Sequence, residues 1–412
     1  MTDLPIAPAL FPDTVDEIER AAKPYDDELV ALRRDLHAHP ELGGSEVRTS
    51  RLLVDRLTAA GLVVRPLACG TGLLCDVEGT KNRLGPDRPR RTVALRADLD
   101  ALPLVDEKDV PYRSTVPGVC HACGHDVHTA TVLGAGLVLA DLARHGLVGG
   151  NVRLVFQPAE EVIGAGAPEV IAAGALDQVE RIFALHCDPR EVVGRVGLRV
   201  GGITASSDQV TVRLTGRGGH TARPHLTADV VYALGEVITR LPAALSRRVD
   251  PRAGLSLVWG RVTAGTSSNV IPDRGEVSGT VRCLDLGVWD ATGALVTRLA
   301  EEIVAPYGVG CVVEYVRGVP PVVNERSSVA ILAAAARSIL GTPAVRSTEQ
   351  SLGGEDFAWY LEDVPGALLR LGVRPADEEI SPDLHRGDFD VDERSIGIGV
   401  RVLVASALLA LG

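Results

Sequence analysis

A chain of 412 residues with 46% apolar side chains can bury a substantial core, and it is long enough for two or three structural units or one large domain with an insertion. Aromatic residues make up only 3%, so Leu, Val, Ile and Ala must build that core. The formal charge of −12, from 42 basic and 54 acidic residues, excludes a phosphate-tracking surface of clustered Lys and Arg, and no nucleic acid is expected as a partner.

The amino-terminal run MTDLPIAPALFPD has no basic stretch ahead of an apolar one, so no secretory signal is read and the cytoplasm is the expected compartment. From Asp26, Leu29, Leu32 and Leu36 recur at helical spacing and Pro40 closes the helix. KNRLGPDRPRR, beginning at Lys81, reads as a solvated loop. TVALRADLD starts a strand at Thr92, and Asp126 to Leu142 has a helical apolar pattern with few breakers. NVRLVF at Asn151 and RIFALHC at Arg181 are strands with a helix-like stretch between them. This alternation predicts an α/β sheet covered by helices.

The character changes between about Ser206 and Arg317. QVTVRL is a strand, a helix follows from near Thr227, LSLVWGRV and EVSGTVRCL are strands, a helix runs from about Trp289 to Val304, and CVVEYV is the last strand. The order βαββαβ is that of a ferredoxin-like unit of domain size. The alternation then resumes with SSVAILAAAARSIL, ALLRLGV and an apolar stretch from Ile396 to Leu411. That stretch is too short to span a bilayer and carries Arg401, so it is expected as a buried terminal helix with no membrane partner. The expected division is therefore 1–202 and 318–412 as one mixed-sheet α/β catalytic domain, with 203–317 inserted into it.

Seven cysteines in a long chain expected in the cytoplasm argue against a disulfide framework. Cys69, Cys75, Cys283 and Cys311 lie in apolar, strand-like runs and are expected as small buried hydrophobes. Cys123 differs, because it sits in CHACGHDVH, the densest cluster of metal-capable side chains. Cys123 and His125 flank a glycine that lets the backbone turn both toward one point, and thiolate and imidazole suit zinc-like ions. Cys120 and Cys123 form a CxxC, yet no second pair follows at zinc-finger spacing. Cys120 and His128 are open to a packing role or to a role behind the ligands. PAEE at Pro158 follows a strand directly, where one carboxylate could face a metal and the other water; the alternative is a solvated acidic pair. His186 also closes a strand, either as a core residue or as a third group at the carboxyl ends of the strands, where open α/β sheets gather their sites.

HAHPELGGSE at His37, LRADLDALP at Leu95, HACGHDVHTA at His121, QPAEE at Gln157, GGHTARPH at Gly218, NVIPD at Asn269, GTVR at Gly279, GGEDF at Gly353 and LHRGDFDVDE at Leu384 span nearly the whole chain. Together they resemble the amidohydrolase branch of the aminoacylase and carboxypeptidase-like metallopeptidases, which includes hippurate, N-acetyl-amino-acid and indoleacetyl-amino-acid hydrolases. The resemblance implies a metallopeptidase-like catalytic domain whose ferredoxin-like insertion acts as lid and dimerisation domain. It implies two divalent ions, zinc, manganese, cobalt or nickel, with Cys123 bridging them and His125, Glu161, His186 and His385 completing the set. Glu160 is then the general base that takes a proton from water and returns it to the leaving amine. Asp100 orients a ligating imidazole, with Asp98 nearby, or else serves as a structural cap. His220 crosses a homodimer to stabilise the oxyanion, unless it is only a surface-loop histidine. Asn269 and Arg282 grip the substrate carboxylate, with a strand-edge ion pair as the alternative for Arg282.

The implied reaction is hydrolysis of benzoyl, acetyl or indoleacetyl amides of amino acids. Two alternatives stand beside it: a dipeptidase or aminopeptidase of the same superfamily, and a silent dimer subunit. Peptidase relatives usually carry His and Asp or Glu where this chain has Cys123 and His186, and a complete ligand set has no purpose in a silent subunit.

Overall fold

The computed structural model describes residues 4–80 and 90–412, so the loop expected from Lys81 lies outside the described residues up to position 89. The chain divides into two compact units, one comprising 1–201, 324–349 and 359–412 and the other 202–323 and 350–358.

The first unit is built on an eight-stranded mixed sheet. Its spatial order is Val63–Pro66, Leu73–Glu78, Asn151–Gln157, Thr92–Asp98, Val179–Val192, Gly366–Arg374, Val196–Leu198 and Val345–Ser347. The four strands from Asn151–Gln157 to Gly366–Arg374 are mutually parallel. Antiparallel pairings appear toward both edges. Parallel strands are covered on both faces, and every residue of Thr92–Asp98 is buried: the apolar run Val93–Leu95 and also Arg96 and Asp98.

Helices Asp26–Ala38, His125–Arg144 and Arg394–Leu411 pack together against this sheet. Glycine sets their separation: a Cβ on Gly134 would fall 2.4 Å from Leu29 and 2.7 Å from Val400, and one on Gly399 would fall 2.7 Å from Thr131. His125–Arg144 and Arg394–Leu411 are long and apolar enough to cross a membrane, so the terminal helix is longer than the sequence reading allowed, but most of each is buried inside the unit, and that burial is as expected for the terminal helix.

The second unit holds four antiparallel strands in the spatial order Ser256–Ala264, Arg274–Arg282, Ser207–Thr215, Gly310–Val319. Helices Val230–Arg248 and Leu286–Val304 complete a separate core around Val210, Val212, Leu234, Leu241, Val277 and Val296. This is the ferredoxin-like arrangement, with the first strand between the third and the fourth. The helix expected near Thr227 begins at Val230, after a short turn Pro224–Leu226, because the Asp229 side chain caps it by accepting from the Tyr232 N–H.

Three details correct the sequence reading. Gly202 and 318–323, assigned to the catalytic flanks, belong to the second unit, since the Ile203 N–H donates to the Val322 carbonyl at 2.9 Å. Residues 350–358 join them: Ser351 pairs with Ile203 and Ala205 through backbone hydrogen bonds of 2.9 and 3.0 Å, and Gln350 Nε2 donates to the Gly202 carbonyl. Cys69 is exposed rather than buried, in a turn where its thiol donates to the Thr71 carbonyl, whereas Cys75 and Cys283 are buried and Cys311 half-buried.

Candidate metal centre

The site forms in the first unit, where Thr92–Asp98 and Asn151–Gln157 end, Val179–Val192 passes beside them and His125–Arg144 begins. Gly124 precedes that helix with φ 87°, and a Cβ there would lie 2.7 Å from Cys187 Sγ, so only glycine fits. The turn brings Cys123 and the first helical residue, His125, to one place.

Two aspartates at the end of Thr92–Asp98 hold two histidines of the helix. Asp98 and Asp100 are two apart on extended chain, and His125 and His128 are three apart on one helical face, so the two spacings match. His128 Nδ1 donates to Asp98 Oδ1 at 2.7 Å and its Nε2 accepts the Cys187 N–H at 2.9 Å. Both ring nitrogens are used, which makes His128 a structural member of the site and not a ligand. His125 Nδ1 faces the Asp100 carbonyl at 2.9 Å and Asp100 Oδ1 at 3.2 Å. A carbonyl only accepts, so Nδ1 carries the proton and Nε2 presents a lone pair; that atom is buried and has no hydrogen-bond partner among the described residues.

His186 repeats the arrangement, with Nδ1 donating to the Cys187 carbonyl at 2.8 Å and Nε2 lying 3.5 Å from Cys123 Sγ. His385 arrives from a loop at φ 61°, its N–H donating to the Ala122 carbonyl at 2.7 Å. Its Nε2 lies 3.3 Å from Cys123 Sγ and 3.0 Å from Glu161 Oε1. Two three-donor groups of metal-binding size result, Cys123–His125–His186 and Cys123–Glu161–His385, and they share the sulfur.

Glu160 and Glu161 follow a left-handed Ala159 at φ 55°. That departure from regular backbone lets adjacent carboxylates serve one site: both fall in a metal-sized group with His125, and Glu160 Oε2 is 3.9 Å from His125 Nε2. The Glu161 N–H donates to Asp100 Oδ2 at 2.9 Å, so Asp100 supports an imidazole and this turn together.

A thiol, carboxylates and imidazole lone pairs converge here in buried surroundings, where like-signed donors are unfavourable unless a cation balances them. The electrostatics of His385 carry the same sign: hydrogen bonding to the Cys123 sulfur, then to Glu161, pushes its pKa up to about 10. Burial pushes His186 below its ordinary value, keeping its Nε2 free of a proton. Sulfur, imidazole and carboxylate form a donor set suited to zinc-like and neighbouring ions, and the residues present fit two divalent ions.

Cys120 belongs to a separate buried network. Lys108 Nζ lies 3.6 Å from its sulfur and 2.9 Å from Asp106 Oδ1. His37 lies between Asp126 and Asp106, at 2.7 and 3.2 Å, and Arg33 pairs with Asp126 at 2.8 Å. His37, Asp106 and Cys120 could form a ligand group, but Lys108 already supplies its positive charge. The network fixes the first turn of the helix that carries His125. In the sequence, His37 and Asp126 served only as parts of the resemblance, and Arg33 gave no signal.

The remaining expected residues lie in the second unit. His220 pairs with Val270 across a two-residue ladder, and the Thr221 N–H donates to the Asn269 carbonyl at 3.2 Å, so His220 and Asn269 are neighbours. His220 Nδ1 accepts the Ala222 N–H at 3.0 Å, which leaves Nε2–H as an exposed donor. Arg282 donates to the Leu352 carbonyl at the far end of Arg274–Arg282, a strand about 26 Å long. The structure therefore does not bring Arg282 together with His220 and Asn269 within one chain.

The similarity to known proteins extends over most of the chain. Residues 94–408 match the model of peptidase family M20/M25/M40. The chain belongs to that family. Over 394 residues it is 48% identical to a Rhodococcus jostii protein with a glutamate–cysteine ligase name; the match covers 95% of this chain but 48% of that relative, so the chain spans about half its length. It is 36% identical to the N-acetylcysteine deacetylase of Bacillus subtilis, across 95% of this chain and 99% of the relative. The crystal structure of Bacillus subtilis YXEP protein, described as a dinuclear metal binding peptidase from M20 family, superposes with a TM-score of 0.82 at 32% identity, covering 94% of this chain and 99% of that one. The chain is thus an amidohydrolase of M20-type mixed-sheet α/β fold whose donor groups fit two divalent ions.

Proposed function

We propose that this chain hydrolyses the amide bond of N-acyl amino acids, releasing a carboxylic acid and a free amino acid. The observation that carries the reading is the pair of donor groups sharing Cys123, with Glu160 beside His125. Cys123, His125, Glu161, His186 and His385 would hold the ions, which when bound acidify water and polarise a carbonyl. Glu160 accepts the proton of the attacking water at its carboxylate and returns it to the departing nitrogen. Asp100 keeps the His125 lone pair directed into the site by holding the proton on Nδ1. The similarity to an N-acetylcysteine deacetylase supports an acyl group on the substrate nitrogen.

We assign the oxyanion donor to His220 Nε2–H and the substrate carboxylate to Asn269 and the Arg282 fork. Since Arg282 lies at the opposite end of its strand from the other two, a substrate meeting all three requires two chains, one giving His220 and Asn269 and the other Arg282. The second unit carries a surface suited to such a homodimer. Val258 and Val262 on the edge strand Ser256–Ala264, and Val231 and Tyr232 on the neighbouring helix, are all about half exposed or more.

A panel of N-acetyl, N-benzoyl and N-indoleacetyl amino acids set against dipeptides with free amino groups tests the substrate class. The acylated substrates should lead in kcat/KM by at least about tenfold, and preference for the dipeptides would replace this reading with the peptidase one. Mixing inactive His220→Ala with inactive Glu160→Gln chains should restore turnover in the heterodimer fraction, and an inactive verified heterodimer would remove His220 from the partner's site.

A further inference from the structure

The direction of the Glu160 side chain depends on the backbone turn that precedes it. Its predecessor Ala159 sits in the left-handed region at φ 55°, which an alanine holds only when its surroundings impose it. Glu46, fully buried at the start of helix Val47–Ala59, accepts the Ala159 N–H on Oε1 at 2.7 Å. Both sides of the turn are closely packed. A Cβ on Gly43 would lie 2.6 Å from Val162, 3.1 Å from Asp100 Oδ2 and 3.2 Å from Ala159 Cα, and one on Gly72 would lie 2.6 Å from Pro158. Ser50 links the two sides, its hydroxyl donating to the Glu46 carbonyl and accepting the Gly72 N–H at 2.7 Å.

A carboxylate buried this deeply is costly, and burial raises the Glu46 pKa. The segment could be capped without it, because Glu41 already accepts the Arg48 and Thr49 N–H groups at 2.9 and 2.8 Å at the start of the same helix. Besides its own N–H and that of Gly44, the Glu46 carboxylate holds the Ala159 N–H across the turn. We propose that Glu46 is a positioning residue for Glu160, its side-chain oxygen locking the left-handed turn that aims the base at the reacting water.

This rests on Glu160 being the base, and the test separates the two ideas. Glu46→Ala, Glu46→Gln, Glu46→Asp and Glu160→Gln are compared in the metal-loaded protein by kcat, KM and bound metal. Glu46→Ala should lower kcat about 10- to 100-fold, the range in which supporting contacts act, with KM and metal content unchanged. Glu46→Gln keeps an oxygen for the Ala159 N–H and should restore kcat to within about threefold of wild type. Glu46→Asp keeps the buried charge but shortens the side chain away from the Ala159 N–H and should repeat the kcat loss, which keeps the test available if Glu46→Ala does not fold. An unchanged kcat in Glu46→Ala beside an inactive Glu160→Gln would overturn the positioning role alone. Equal losses in Glu46→Gln and Glu46→Ala, or loss of metal from both, would overturn it in favour of a purely structural carboxylate. An active Glu160→Gln would overturn the base reading instead.

Discussion

Glu160→Gln is expected to lower kcat about 10²- to 10⁴-fold, the usual contribution of a positioned acid–base group, while both divalent ions stay bound. That loss corresponds to about 3 to 5 kcal/mol of transition-state stabilisation. The amide has nearly the shape of the carboxylate but cannot take up a proton, so the substitution removes one chemical step and leaves the packing intact. Glu160 lies outside both donor groups that share Cys123, and this geometry predicts metal retention. KM should change little, because the interaction removed is made only as the reaction proceeds. Steady-state kinetics with N-acyl amino acids and metal analysis of the same preparation check both halves. Loss of metal together with activity would move Glu160 into the ligand set.

Cys123→Ala should have the opposite signature. The sulfur is the member common to both donor groups, so its removal weakens both positions together rather than emptying one. Metal content should fall below one ion per chain under conditions where wild type holds two, and turnover should fall by more than about 100-fold, beyond the effect of losing a supporting contact. Removing the sulfur also takes away the largest influence holding the His385 pKa near 10. A chain that keeps two ions and most of its activity would show that the thiol only packs between the imidazoles.

Much of the fold was legible because parallel strands covered on both faces carry apolar runs, and VAL at Val93 and IFAL at Ile182 are such runs. The ferredoxin-like order could be read because strands and helices of contrasting periodicity follow one another without long loops. The return of 350–358 to the second unit could not be read, since it rests on backbone hydrogen bonds from Ser351 that leave no side-chain pattern. The site divides in a similar way. Cys123 and His125 stand out locally, as does the strand end before Glu160. His385 has no local signature, because a loop at positive φ brings it back across 262 positions to Cys123. Glu46 enters the sequence reading only as the last residue of HAHPELGGSE, and the packed structure shows that its carboxylate reaches Ala159.

The central claim is a hydrolase whose two ions are held by Cys123, His125, Glu161, His186 and His385. Its most direct test is turnover of an N-acyl amino acid by chelator-stripped protein, followed as manganese, zinc, cobalt or nickel is added back and the bound ions are counted. The account predicts negligible release of free amino acid from the stripped chain and a rise that saturates at two ions per chain for at least one metal. Full turnover by the stripped chain, or saturation with a single ion, would contradict it.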